Sequence, residues 1–143
     1  MEQLLLHLIG DYLTQTDWMA SNKTKRWIPA IVHSFVYSVP FLLIGSLTAI
    51  LVIFFTHLLI DRFRLVKYFL RVKEWRFDME WGYVTKGEFA KPDFMWVWLM
   101  IISDNTIHLL INYFSLKYLS APAAIGKDIP SVAVALEIFF AIA

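Results

Sequence analysis

From Ile28 onward the chain runs with very few polar interruptions until it closes on THLLIDRF, residues 56 to 63. Such a run is apolar enough to enter a bilayer, but it is too long for a single span of about 20 residues. Pro40, Gly45 and Ser46 fall inside it, and these are turn formers: proline lacks a backbone donor, and glycine and serine favour bends. The halves therefore read as a tight hairpin of two membrane helices. Within this run His57 and Asp61 stand one helical turn apart, and a carboxylate there is costly unless something compensates it.

The remaining sequence reads the same way. A chain of 143 residues is long enough for one domain. Its 59% hydrophobic and 17% aromatic content, with a mean hydropathy of +0.59, exceeds the roughly 45–50% apolar share of soluble domains. The expected fold is all-α, a polytopic membrane bundle of four to five helices in a single domain over 1–143. The helices are expected at about 3–20, 27–40, 44–73, 94–119 and 130–143, with a loop at 74–93. Past Asp61 the third continues as DRFRLVKYFLRVKEW, a basic amphipathic extension suited to a headgroup surface. The tail SVAVALEIFFAIA is short for a span and ends without a polar anchor, which reads as a truncated chain or an oblique last helix.

Several classes are set aside. The net charge is +1, and no basic stripe interleaved with aromatics occurs away from the membrane flanks, so nucleic acid is not an expected partner. Cysteine is absent, which excludes disulfides and thiolate metal sites. MEQLLLHLIGD starts acidic and carries His7 and Asp11 in its apolar core, so it does not read as a cleaved signal peptide. Lys23, Lys25 and Arg26 follow the first helix, and Arg62, Arg64, Lys67, Arg71, Lys73 and Arg76 follow the third. The positive-inside rule puts both basic loops on the cytoplasmic side and the N-terminus outside.

The chemistry rests on a repeated spacing. His7 with Asp11, His57 with Asp61, and in reverse order Asp104 with His108 are each four residues apart, hence on one helical face. The fourth histidine, His33, lies on the remaining helix. An aspartate near mid-membrane costs about 2.5–3.5 kcal/mol on insertion scales, so three uncompensated ones would be prohibitive. Imidazole and carboxylate are ligands for borderline divalent metals, so a bound ion accounts for both the residues and their cost. The expected ligands are His7, Asp11, His33, His57, Asp61, Asp104 and His108, with zinc first and manganese or iron as alternatives. At about 1.5 Å per residue, Asp11, His33, His57 and Asp104 come out some 7–11 Å below the basic face, where they could meet.

Two polar stripes extend these pairs, Gln3–His7–Asp11–Gln15 and Asp104–His108–Asn112–Ser115, and make Gln15 and Asn112 candidates to support the ligands. Arg62, Arg64 and Lys67 are placed to meet a phosphate headgroup, although a surface anchor is the commoner role for such a segment. Tyr37, one turn after His33, reads as packing, and the six tryptophans as an interfacial belt. The competing reading of the His–Asp pairs is interhelical hydrogen bonding or a proton or ion path.

HLIGDYLTQTDWMA, HSFVYSVPF, THLLIDRFRLVKY and DNTIHLLIN resemble, in order and over about residues 4–115, the blocks of a family of small helical membrane proteins of bacteria and phages known as a domain of unknown function. The resemblance implies the fold and a bacterial or phage inner-membrane location, and supplies no activity. More distantly, His and Asp repeated on membrane helices are similar to the membrane-bound metal-dependent hydrolases.

The resulting expectation is a metal-dependent hydrolase acting on a lipid or phosphoester, with Asp11, Asp61 and Asp104 as catalytic carboxylates and membrane lipids, with a homo-oligomer, as partners. The alternative is a non-enzymatic channel, transporter or oligomeric interaction protein, such as a phage factor directed at the host envelope.

Overall fold

The computed structural model describes residues 2–73 and 93–120, and every element among them is helical. In chain order these are α1 (Glu2–Leu8), α2 (Asp17–Asn22), α3 (Trp27–Ser38), α4 (Leu47–Phe63), α5 (Leu65–Lys73) and α6 (Asp93–Leu119). The expected helix at 130–143, and the expected loop except its last residue, lie outside the described residues.

The first helical segment, expected to run unbroken over 3–20, is divided. α1 passes into a π-helical turn, Ile9–Leu13, closed by the Thr14 amide donating to the Ile9 carbonyl at 3.0 Å. A π turn accommodates one extra residue and shifts the helical register beyond it. The chain then leaves the helix, and Thr16 restarts it as the N-cap of α2, its hydroxyl accepting from the Met19 amide at 3.4 Å.

The hairpin forms where Pro40 and Gly45 stand. α3 ends in a 3₁₀ turn, Val39–Leu43, and Ser46 caps α4 by accepting from the Ala49 amide at 3.2 Å. The same hydroxyl donates to the Leu119 carbonyl at 2.8 Å, and the Ser46 amide donates to Ser120 Oγ at 3.0 Å. The hairpin is thereby tied to the C-terminal end of α6. Gly45 allows this closeness, since a Cβ there would stand 2.7 Å from Leu116 Cδ2.

At the opposite end, the helix expected over 44–73 is two helices bent at Arg64. Arg64 takes a left-handed φ of 51° and its amide bonds the Asp61 carbonyl at 3.3 Å, a conformation that terminates helices. The bend turns α5 back so that Val66 and Leu70 pack with Ile60 against Met100, Ile107 and Ile111 of α6. Leu65, Tyr68, Phe69 and Val72 remain exposed, which gives α5 its two-faced character.

α3 packs on α4, α4 on α6, and α1 on α6. Leu6, Tyr37, Phe41, Ile50 and Ile53 form the apolar cluster at their centre. Among the described residues, α6 is the one helix long and apolar enough to cross a membrane, and Trp27–Leu43 is a shorter apolar helical run. The distribution on α6 is the reverse of a helix packed in water: His108, Asn112 and Ser115 are buried, while Phe94, Trp98, Ile102, Leu110 and Phe114 are exposed.

Candidate functional site

Five of the seven expected ligands converge in the interior. Two groups have donor atoms lying within 4.8 Å of one another: Asp11, His33 and His57, and His57, Asp61 and His108. The π turn supplies Asp11, α3 His33, α4 His57 and Asp61, and α6 His108.

The spacing of these atoms is informative. Asp11 Oδ1 stands 3.4 Å from His33 Nε2 and 3.5 Å from His57 Nε2, Asp61 Oδ2 stands 3.1 and 3.3 Å from the same two nitrogens, and those nitrogens are 3.0 Å apart. A tetrahedral zinc with ligands at about 2.0–2.1 Å requires donor separations of about 3.3–3.4 Å. Asp11 Oδ1 with the two imidazole nitrogens, and Asp61 Oδ2 with the same two, therefore each approximate one face of such a site, the two faces sharing the His33–His57 edge. Asp11 Oδ1 is buried with no hydrogen-bond partner, although two imidazoles are close by, which leaves it free for another ligand.

Asp61 faces two ways. Its Oδ1 lies 3.4 Å from His108 Nε2, which is itself buried without a hydrogen-bond partner. Asp104 Oδ2 is 3.7 Å from the same nitrogen, and its side chain is 34% exposed. Asp104 thus stands at the mouth of the cluster, outside both groups of three.

His7 also stands outside both groups, because its ring is engaged elsewhere. Nε2 donates to Asn105 Oδ1 at 2.8 Å, so in the neutral ring Nδ1 accepts from the Tyr37 hydroxyl at 2.8 Å. The Tyr37 oxygen in turn accepts from Asn112 Nδ2 at 2.6 Å, and Asn105 Nδ2 donates to Tyr12 at 2.6 Å. His7 Nδ1 lies 3.5 Å from Asp11 Oδ2. In that tautomer Nδ1 has no proton to give the carboxylate, so His7 borders Asp11 without bonding it and is held instead by Asn105 and by Tyr37, which Asn112 bonds in turn. Gln15, expected on the same stripe, falls in the non-helical link after the π turn; among the described residues it makes no hydrogen bond to the cluster, and its Oε1 is buried without a partner.

Sequence reasoning missed three participants. Lys23, read as a topological charge, reaches in from the end of α2 to place Nζ 2.7 Å from Asp61 Oδ2 and 3.1 Å from His33 Nε2. Tyr37, read as packing, is fully buried and stacks on His57 with ring centroids 3.7 Å apart. Asn105 holds His7, and its place beside Asp104 was the available signal.

Beside the cluster lies a pocket of about 330 Å³, with Lys23, Arg64 and Lys67 among its lining residues. Desolvation, followed by the Arg64 charge, draws the Lys67 ammonium below its usual value. Arg62, expected with them at the headgroup, is not among the lining residues. Its guanidinium donates to the Thr24 carbonyl at 2.6 Å and lies 5.0 Å from the centre of the Trp27 ring. It joins the end of α4 to the turn between α2 and α3.

The family described as "Protein of unknown function (DUF3307)" matches residues 1–112. The chain belongs to the DUF3307 family. No curated protein and no solved structure matches it. All seven sequence-derived ligands, with Lys23, Tyr37 and Asn105, fall within the DUF3307 match, so the whole cluster lies in the part of the chain that defines the family.

Proposed function

We propose that the chain is a multi-pass inner-membrane protein whose helices hold a divalent metal ion, with zinc as first choice, and that it hydrolyses an ester bond of a lipid or phosphoester. The single observation that carries the metal is the set of five donor separations of 3.0–3.5 Å among Asp11, His33, His57 and Asp61. Membrane residence is supported by the polar interior and apolar exterior, since exposed aromatic and aliphatic side chains on this scale suit lipid. Arg62 bonded to Thr24 brings the basic stretches after α2 and after α4 to one end, in keeping with a cytoplasmic basic face and an N-terminus outside.

A divalent ion would supply Lewis acidity and an activated water nucleophile. Asp11, Asp61, His33 and His57 would hold it, and His108 would lie against the second Asp61 oxygen. Asp104, partly exposed at the mouth, is the carboxylate available to take the proton from the attacking water.

The test is metal analysis of detergent-purified protein, beside His33→Ala and Asp61→Asn. One ion per chain, lost in both variants, supports the site, and chelator-sensitive turnover of lipid supports the hydrolase. Metal-free, folded protein sinks both.

One observation favours the second reading, a non-enzymatic channel, transporter or interaction protein. The Lys23 ammonium at 2.7 Å already gives Asp61 a counter-charge. A metal-free chain that passes ions in liposomes would establish that reading.

A further inference from the structure

The pocket beside the cluster is lined by two chemically different sets of residues. Lys23, Arg64 and Lys67 set three cations against the two carboxylates Asp61 and Asp104, so its balance is positive even before any ion is added. Val97 and Ile101 of α6 also line it and are themselves exposed. The volume of about 330 Å³ is at the small end of the range for small-molecule sites, about 300–1,000 Å³. It suits a headgroup better than a whole lipid. Arg64 reaches this place through its left-handed backbone, a conformation that a residue with a Cβ adopts at a cost.

We infer that this pocket binds a phosphate group carried by an amphiphile, with the phosphate between Arg64, Lys67 and Lys23 and the apolar part leaving along Val97 and Ile101 toward the lipid. Guanidinium and ammonium groups are the standard partners of phosphate oxygens. The apolar flank is what separates a lipid-borne phosphate from the free ion. The inference deepens the hydrolase reading by naming its substrate class, and it rests on that reading for ester cleavage and not for binding.

The test uses the full chain in detergent, titrated calorimetrically with short-chain phosphatidic acid, short-chain diacylglycerol and inorganic phosphate. Phosphatidic acid is expected to bind about tenfold or more tighter than either of the others, the worth of one charge-assisted contact or one buried chain segment. Arg64→Gly removes the guanidinium while easing the backbone. It and Lys67→Ala are each expected to weaken phosphatidic acid about fivefold or more, with bound metal unchanged. Equal binding of diacylglycerol, or undiminished binding in the double variant, overturns the inference. Equal binding of inorganic phosphate overturns its amphiphile part. Wild-type protein that holds no metal yet binds phosphatidic acid refutes the metal reading and supports this one.

Discussion

Gly10 lies under the ring of Tyr37, so closely that a Cβ at Gly10 would stand 2.5 Å from Tyr37 Cδ2 and 3.2 Å from its Cα. The contact sets the distance between the π turn bearing Asp11 and the helix bearing His33. Because backbone as well as ring is met, the neighbour cannot swing aside. Gly10→Ala is expected to destabilise the fold by about 1–3 kcal/mol, the usual cost of overpacking, and to push Asp11 away from both imidazoles. Thermal melts with and without zinc would show a lower Tm and a smaller zinc-induced rise. An unchanged melt would show that α1 is not held by this contact.

Tyr37→Phe addresses the same residue from its other end. The ring stack on His57 stays, but His7 Nδ1 and Asn112 Nδ2 lose the hydroxyl that joins them. Leaving buried polar groups unpaired costs about 1–3 kcal/mol, so stability should fall while metal content stays near one per chain. Loss of metal together with stability would mean that the hydroxyl holds the site itself.

Lys23 competes with a bound cation for Asp61. Its removal in Lys23→Gln leaves the carboxylate without its 2.7 Å partner, and the expected result is tighter zinc binding, by about tenfold, the equivalent of 1.4 kcal/mol. Competition against a chromogenic chelator measures this. Weaker binding would mean that Lys23 organises the donors and does not oppose the ion.

The His–Asp convergence was legible in the sequence because a helix fixes which residues share a face, and three pairs at the same spacing pointed to three faces. What the spacing could not give was position across helices. Lys23 acts through a long side chain on a turn, where no periodicity constrains its direction. His7 belongs to the repeated pattern, yet Asn105 and Tyr37 occupy its nitrogens, and this depends on how α1 is set against α3 and α6. The π turn at Ile9–Leu13 breaks the stripe that was to carry Gln15, since a stripe assumes an unbroken α-helical repeat. The bend at Arg64 gave no local sign either, arginine being an ordinary helix former. The all-helical class and the hairpin near Pro40 and Gly45 followed from hydropathy and turn chemistry, which act locally.

Zinc should stabilise the chain if it binds the folded state alone. At a free concentration one hundred times the dissociation constant the gain is about 2.7 kcal/mol, enough for a readable rise in Tm. The rise should vanish in Asp11→Asn and in His57→Ala, whose side chains sit on shared edges of the site. It should persist in Gln15→Ala, since Gln15 makes no hydrogen bond to the cluster among the described residues. A rise that survives both ligand variants would locate zinc elsewhere.

Asp104 separates holding an ion from using it. It is 3.7 Å from His108 Nε2, more exposed than Asp11 or Asp61, and lines the pocket that Asp61 also lines. A carboxylate that takes a proton in the transition state contributes about 10²–10⁴-fold to rate, while a ligand is needed for the ion to stay at all. Asp104→Asn is therefore expected to keep near-stoichiometric zinc and to lower turnover of a short-chain phosphatidic acid by about that factor. Asp61→Asn, by contrast, should lose zinc and turnover together. Metal content measured beside phosphate release on the same preparations distinguishes the two. Asp104→Asn that loses the ion would make Asp104 a ligand, and Asp104→Asn at full rate would leave the proton to another group.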